Sequence, residues 1–186
     1  MNFTNARNAG NRAEVAVQDV LNRYTKHVYK NVRIDTLFTK TGNTEIDIIA
    51  ALADIILILE VKNVSKIEGG YYDSYWYLTG LESGERYSTL NVLTQNRIHA
   101  RSFKNYWYAT RREILPVVSV VVVPNGCVVP EDIADGGVLT LEQFERQVSK
   151  LCANTYENKY GYHLDYLFGN AGLSLIRSDF AEATNG

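Results

Sequence analysis

Apolar residues along the chain follow two different periods. Ala13, Val17, Val20, Leu21 and Tyr24 recur at helical spacing and predict a first helix from about Asn11 to Tyr24. "HVYKNVRIDTLF" reads as a strand, and "TKTGNT" as a turn by its Gly, Asn and Thr content. Two strands follow, at about 44–51 and 55–63, separated by "LAD". "YYDSYWYLTG" has strand composition and pairs with "ERYSTL" across the turn "LESG". A second helix runs from about Val92 to Thr110, with Ile98, Ser102 and Phe103 toward one side. "ILPVVSVVVVP" is a strand whose continuous apolar run predicts burial on both faces. "VLTLEQFERQVSKLC" is a short strand end and then a helix, and Thr140-Leu141-Glu142-Gln143 matches a capping box. This order predicts an α/β fold, a mixed β-sheet flanked by α-helices.

Three charges interrupt the apolar runs. Asp47, Glu60 and Lys62 lie inside "EIDIIAALADIILILEVKN", where an unpaired charge costs several kcal/mol. Strand alternation puts Ile56, Ile58, Glu60 and Lys62 on one face, and Glu45, Asp47 and Ile49 on one face of the preceding strand. A turn centred between Ala53 and Asp54 sets Asp47 opposite Glu60 and Glu45 opposite Lys62, with opposed Cβ atoms about 5 Å apart. A one-residue slip would break this alignment. The simpler reading is a Glu45–Lys62 salt bridge with Asp47 and Glu60 solvated. Against it, Ile49, Ile56 and Ile58 line the same face. Two opposed acids repel unless a cation or shared proton lies between them. Mg²⁺ is a hard ion suited to one or two carboxylates, water and a substrate phosphate. A neighbouring lysine can hold a phosphate oxygen or stabilise developing negative charge. Those parts make a metal-dependent phosphodiester hydrolase.

Composition narrows the classes. With 186 residues, 46% of them apolar, the chain can bury a sizeable core as one domain. A net charge of −2 argues against a large basic wrapping surface but not against local basic patches. Cys127 and Cys152 form no C-x-x-C, so neither a zinc pattern nor a disulfide framework is expected. The N-terminus lacks the apolar core of a signal peptide, and no apolar run approaches the roughly 18 residues of a membrane span. The expectation is a cytoplasmic protein with no membrane partner.

Asp47 followed by Glu60-Val61-Lys62 fits D-x(n)-E-x-K, the signature of the PD-(D/E)XK nuclease superfamily. The wording around it is more specific. "TEIDIIA", "ILEVKN", the helix "NVLTQNRIHARSF" and "NRAEV" together resemble the nuclease-related domain (NERD) family over roughly residues 10 to 123. The resemblance implies a restriction-endonuclease-like fold and a nuclease using Mg²⁺ or Mn²⁺ on nucleic acid, with DNA as the expected substrate. It implies Asp47 and Glu60 as metal ligands with the Val61 carbonyl as a third, and Lys62 as the catalytic lysine. It also places Glu14 near the site, through a metal-bound water or a second ion, and Gln95 against metal-bound water or a phosphate. Val92 stands where the family has Pro, and Arg12-Ala13 precede Glu14 where the family usually has Gly. Nothing beyond Pro124 matches. One domain is expected over 1–186, with a core at about 10–150 and a tail at about 159–186 that packs through its aromatics and frays after about Phe180.

The remaining candidates have plainer readings beside them. On a helical wheel alone, Glu14 is an exposed glutamate bordering the apolar stripe. Arg97, Arg101 and Lys104 lie close to an i, i+4, i+7 row that could track a phosphate backbone, although a solvated face is commoner. Gln95, His99, Ser102 and, less closely, Lys104 follow helical spacing near one side, so His99, one turn after Gln95, could reach the cleft, although a surface or half-buried histidine is commoner. Tyr71, Tyr72, Tyr75, Trp76 and Tyr77 suggest base stacking, but alternation sends them to two sides, so at least one side is structural. Pairing into a homodimer is common among enzymes of this fold, and no interface is legible. The alternative function is a non-catalytic nucleic-acid-binding or protein-interaction module on the same fold.

Overall fold

The structure is a computed structural model, described for residues 3–153, with side chains from Arg12 onward, and for Tyr160 and Leu164. Its elements are α1 (Phe3–Asn22), β1 (Val28–Asp35), β2 (Asn43–Leu52), β3 (Ile55–Val61), β4 (Val64–Glu68), β5 (Tyr75–Gly80), β6 (Arg86–Leu90), α2 (Val92–Arg111), β7 (Val117–Val123), α3 (Glu131–Ala134), β8 (Val138–Thr140) and α4 (Leu141–Cys152). The main sheet has five strands in the order β1-β2-β3-β7-β8, and β4-β5-β6 form a separate three-stranded sheet. β1, β2 and β3 are antiparallel, whereas β7 joins β3 in parallel and β8 joins β7 in parallel. A parallel neighbour requires a long crossover. The second sheet and α2 supply it between β3 and β7.

Helices cover both faces of the main sheet. Ala100, Phe103, Tyr106 and Trp107 of α2 pack on Ile49, Ala51, Ile56 and Ile58. On the opposite face Val17, Val20 and Leu21 of α1, with Phe144 and Val148 of α4, pack on Ile48, Ala50, Leu52, Leu57 and Leu59. This is the mixed sheet flanked by helices expected of a restriction-endonuclease-like α/β fold. The interior of β3 is buried on both faces, as its unbroken apolar run requires. In β7 only Val121–Val123 are fully buried, and Val118 is 41% exposed. The α4-side cluster takes in Val120 and Val122 but stops short of Val118.

The β4 strand is not among the elements the sequence predicts. Its sheet is tied to the body by a third cluster, in which Val64, Ile67, Trp76 and Leu78 meet Val92, Leu93, Val121 and Ile133. Trp76 and Leu78 are therefore structural, whereas Tyr72, Tyr75 and Tyr77 are exposed. The first helix begins eight residues before the expected start, at Phe3. At α4 the capping box forms as read: Thr140 Oγ1 accepts from the Gln143 N–H, and Gln143 Oε1 accepts from the Thr140 N–H. The expected C-terminal tail lies outside the described residues apart from Tyr160 and Leu164, which are buried in the α2-side core.

One irregularity positions the site. The strict alternation expected for β2 breaks at Asp47. Ile46 and Ile49, three positions apart, both pack on the α2 side, while Ile48 packs on the other. The partner strand breaks at the same level. Asn31, between the pairs Lys30–Ile48 and Val32–Ile46, has a left-handed backbone with φ of 52°. Asn tolerates this conformation better than a branched residue would. Each strand gains a kink, the register is conserved, and Asp47 leaves the face expected for it.

Candidate active site

The turn between β2 and β3 is the one the sequence predicts, since Ile49 pairs with Ile58 and Ile48 with Leu59. Beyond Ile48–Leu59 the ladder opens. Asp47 enters this fork, and its Oδ2 accepts the backbone N–H of Val61 at 2.8 Å. A side chain thus serves the N–H of the parting strand. The expected Glu45–Lys62 pair does not form, because the two strands have separated at that level. Glu45 instead pairs with Arg33 across β1, and Lys62 turns to Glu60.

Glu60 is 1% exposed and is met by three side chains. Its Oε1 accepts from Lys62 Nζ at 2.5 Å and from Gln95 Nε2 at 3.0 Å. Its Oε2 lies 3.2 Å from His99 Nε2, yet the alignment is poor and neither atom has a hydrogen-bond partner. The far side of His99 is tied down, with Nδ1 sharing a 2.8 Å hydrogen bond with Thr44 Oγ1. Helix α2 is fixed over the sheet by its own polar contacts. Asn96 Nδ2 donates to the carbonyls of Ile58 and Val120, and the Ser102 hydroxyl donates to Thr36. At its start, Asn91 Oδ1 accepts from the Thr94 N–H, while Asn91 Nδ2 donates to the carbonyls of Tyr71 and Asp73.

Environment drives the two acids apart. Burial, and then the charge of Glu60, push Asp47 up to about 7, against the opposing pull of the Val61 N–H. Burial also works against ionised Glu60, but the closeness of His99 and Lys62 outweighs it and holds this carboxyl below its ordinary value. Lys62 is held charged: burial opposes its charge, and Glu60 beside it more than compensates. Glu14 is half-buried on α1, and burial raises it, with Lys30 acting in opposition. The charges of Glu60 and Lys62 also act on Glu14. Perturbed acids around one lysine are the pattern of a functional site.

The family model of the nuclease-related domain, NERD, matches residues 9–124. The chain belongs to this family. Neither the curated proteins nor the solved structures contain a match to it. The NERD span takes in Glu14, Asp47, Glu60, Val61, Lys62 and Gln95, and the fold brings Asp47, Glu60, Lys62 and Gln95 to one end of the sheet.

The basic row on α2 is placed differently. Arg97 contacts the Tyr71 hydroxyl and lies 4.8 Å from that ring's centre, and Arg101 lies 4.1 Å over Phe38. Lys104 is exposed. These side chains face outward, away from Glu60. Two further α2 residues, His99 and Asn96, lie in or beside the cluster around Glu60. His99 is 5% exposed and Asn96 is fully buried, neither of them a surface group. A signal was available: both fall on the helical stripe of Val92, Leu93, Ala100 and Phe103. A polar side chain on an apolar stripe needs a partner below it.

No group of three or more His, Cys, Asp or Glu side chains placed to hold an ion occurs among the described residues. A hard cation is nonetheless served by fewer protein ligands with water. Asp47, Glu60 and the Val61 carbonyl could offer such a set. The donor chemistry fits, because Glu60 Oε2 is buried without a hydrogen bond and the Asp47 carboxyl lies close enough to feel its charge.

Proposed function

We propose that this NERD protein is a metal-dependent nuclease, hydrolysing phosphodiester bonds of nucleic acid, with DNA as substrate and Mg²⁺ or Mn²⁺ as cofactor. One observation supports this above the others. Two carboxylates and a lysine meet where β2 and β3 part, and the shared environment raises one acid while lowering the other. A fold needs no such arrangement for stability, since apolar residues of similar size would do as well or better.

In this reading Asp47, Glu60 and the Val61 carbonyl would hold the ion, and Glu14, which feels the charges of Glu60 and Lys62, would support it from α1. The bound ion supplies a Lewis acid and lowers the pKa of attacking water. The residues do the rest. Lys62 Nζ leaves Glu60 for a phosphate oxygen and stabilises the negative charge that builds up there. Gln95 keeps Glu60 aligned and orients water or phosphate. Arg97, Arg101 and Lys104 offer outward positive charge to the nucleic-acid backbone, and exposed Tyr72, Tyr75 and Tyr77 offer rings to unpaired bases.

A non-catalytic nucleic-acid-binding or protein-interaction module is the second reading, and the short Lys62–Glu60 contact favours it, because it already neutralises the acid. Cleavage of supercoiled, linear and single-stranded DNA with Mg²⁺, Mn²⁺ or EDTA separates the two. The nuclease reading expects metal-dependent cutting that Lys62→Ala and Asp47→Ala abolish while staying folded. DNA binding without cutting, indifferent to EDTA, would support the module instead.

A further inference from the structure

His99 and Thr44 have no role in the reading above. Both are buried, with 5% and 7% exposure, in a region where every polar group needs a partner. They come from different elements, Thr44 from β2 and His99 from α2, and meet at 2.8 Å through Thr44 Oγ1 and His99 Nδ1. The other imidazole nitrogen lies 3.2 Å from Glu60 Oε2, off the line of a hydrogen bond, and both atoms are buried without another partner.

We propose that Thr44 and His99 are positioning residues that orient the Glu60 carboxylate for ion binding, through a fixed chain from Thr44 Oγ1 to His99 to Glu60 Oε2. The inference rests on the reading that Glu60 holds the ion. Two arrangements of the imidazole hydrogen compete. If Nδ1 carried the only hydrogen, the Nε2 lone pair would face a carboxylate oxygen at 3.2 Å, lone pair against lone pair. A hydrogen on Nε2 turns the same contact into attraction. Thr44 permits it, since a hydroxyl can donate to Nδ1 and so select the other tautomer. The resulting order resembles the outer layer of metal sites generally, where the group behind a ligand fixes its orientation.

Glu60 is then flanked on both oxygens, by hydrogen bonds from Lys62 and Gln95 to Oε1 and by the His99 ring 3.2 Å from Oε2, which keeps room for an ion. Lys62 can leave without the carboxylate swinging out of line. Because Thr44 lies three residues before Asp47 on β2, the chain also ties Glu60 to the strand that delivers the other acid.

The test uses the full chain and the variants Thr44→Val, Thr44→Ser, His99→Leu and His99→Gln. Two readouts are needed, the ¹⁵N shifts of the His99 ring in metal-free protein and the affinity for Mn²⁺ alone by calorimetry. Nε2 is expected to carry a hydrogen in the wild type. Thr44→Val, nearly the same shape, is expected to weaken Mn²⁺ binding about 10- to 100-fold, with Thr44→Ser restoring it. His99→Gln, which retains a donor, is expected to bind more tightly than His99→Leu. An unprotonated Nε2, or equal Mn²⁺ affinity in Thr44→Val and wild type, would overturn the proposal. Absence of Mn²⁺ binding by the wild type instead overturns the ion-binding reading, and the ring shifts then still decide whether the chain exists.

Discussion

Lys62 Nζ lies 2.5 Å from Glu60 Oε1, two positions back on the same strand end, and the pair is closed to water on the glutamate side. Removing the lysine strands a carboxylate that is 1% exposed. Breaking a buried pair from one side typically costs about 3–5 kcal/mol. Gln95 and His99 remain, so Lys62→Met is expected to lose about 3 kcal/mol at pH 8. The loss should shrink at pH 5, where the stranded Glu60 can take up a proton. Urea denaturation of wild type and variant at both pH values measures this. An equal loss at both would mean that Glu60 stays ionised without its partner.

Asp47 gives the opposite pH dependence. Its carboxyl titrates at about 7 in the fold against 3.8 in an unfolded chain, so between those values the folded state holds the extra proton. Stability therefore falls as pH rises from about 4 to about 7, by up to a few kcal/mol, and stays lower above that. Asp47→Asn should raise the melting temperature of metal-free protein at pH 8 and leave it almost unchanged at pH 4. Mg²⁺ should raise the melting temperature of wild type at pH 8 but not of the variant. Thermal scans with and without EDTA check both.

The left-handed Asn31 is what lets β1 match the kink at Asp47. Asn31→Gly should change stability by only a few tenths of a kcal/mol. Asn31→Val places a branched side chain at φ of 52° and should cost about 1–2 kcal/mol. It should also weaken Mn²⁺ binding, because the Asp47 kink loses its match. Denaturation and calorimetry on the same samples read the two effects.

Asn91 couples the second sheet to the helix that holds Gln95. Asp is ordinarily as good an N-cap as Asn. Here Asn91→Asp retains the acceptor for the Thr94 N–H but faces the carbonyls of Tyr71 and Asp73 with a carboxylate. A loss of about 2–3 kcal/mol is expected, larger at pH 8 than at pH 4. Chemical denaturation at the two pH values decides it.

Much of this site was legible in the sequence because it depends on local rules. Ala53 and Asp54 fix the turn, and the turn fixes the Ile49–Ile58 register that brings Asp47 toward Glu60. Strand alternation breaks one step further on. Asp47 lies in a kink that Asn31 matches on another strand, and a single strand's period cannot show that. For the same reason the two-strand register pairs Glu45 with Lys62, whereas the partner of Glu45 in the fold, Arg33, belongs to β1. The spacing from Gln95 lets His99 reach the cleft, but that spacing alone does not mark His99 or Asn96 as buried. Which face of a helix meets the sheet is decided by packing, and here the buried face includes both. The β4 strand is not legible because its buried residues, Val64 and Ile67, lie three positions apart across a register shift, so this short strand shows no alternation.

The most direct test of the central claim is a time course of supercoiled DNA with Mg²⁺, run with wild type and Glu60→Gln at equal concentration. Circular dichroism on the same samples confirms that both are folded. The account predicts nicking or linearisation by the wild type, stopped by EDTA, and a loss of at least about 100-fold in Glu60→Gln, the scale expected when transition-state charge stabilisation is removed. Cleavage by Glu60→Gln at the wild-type rate, or no cleavage by either with DNA binding unaffected by EDTA, would contradict it.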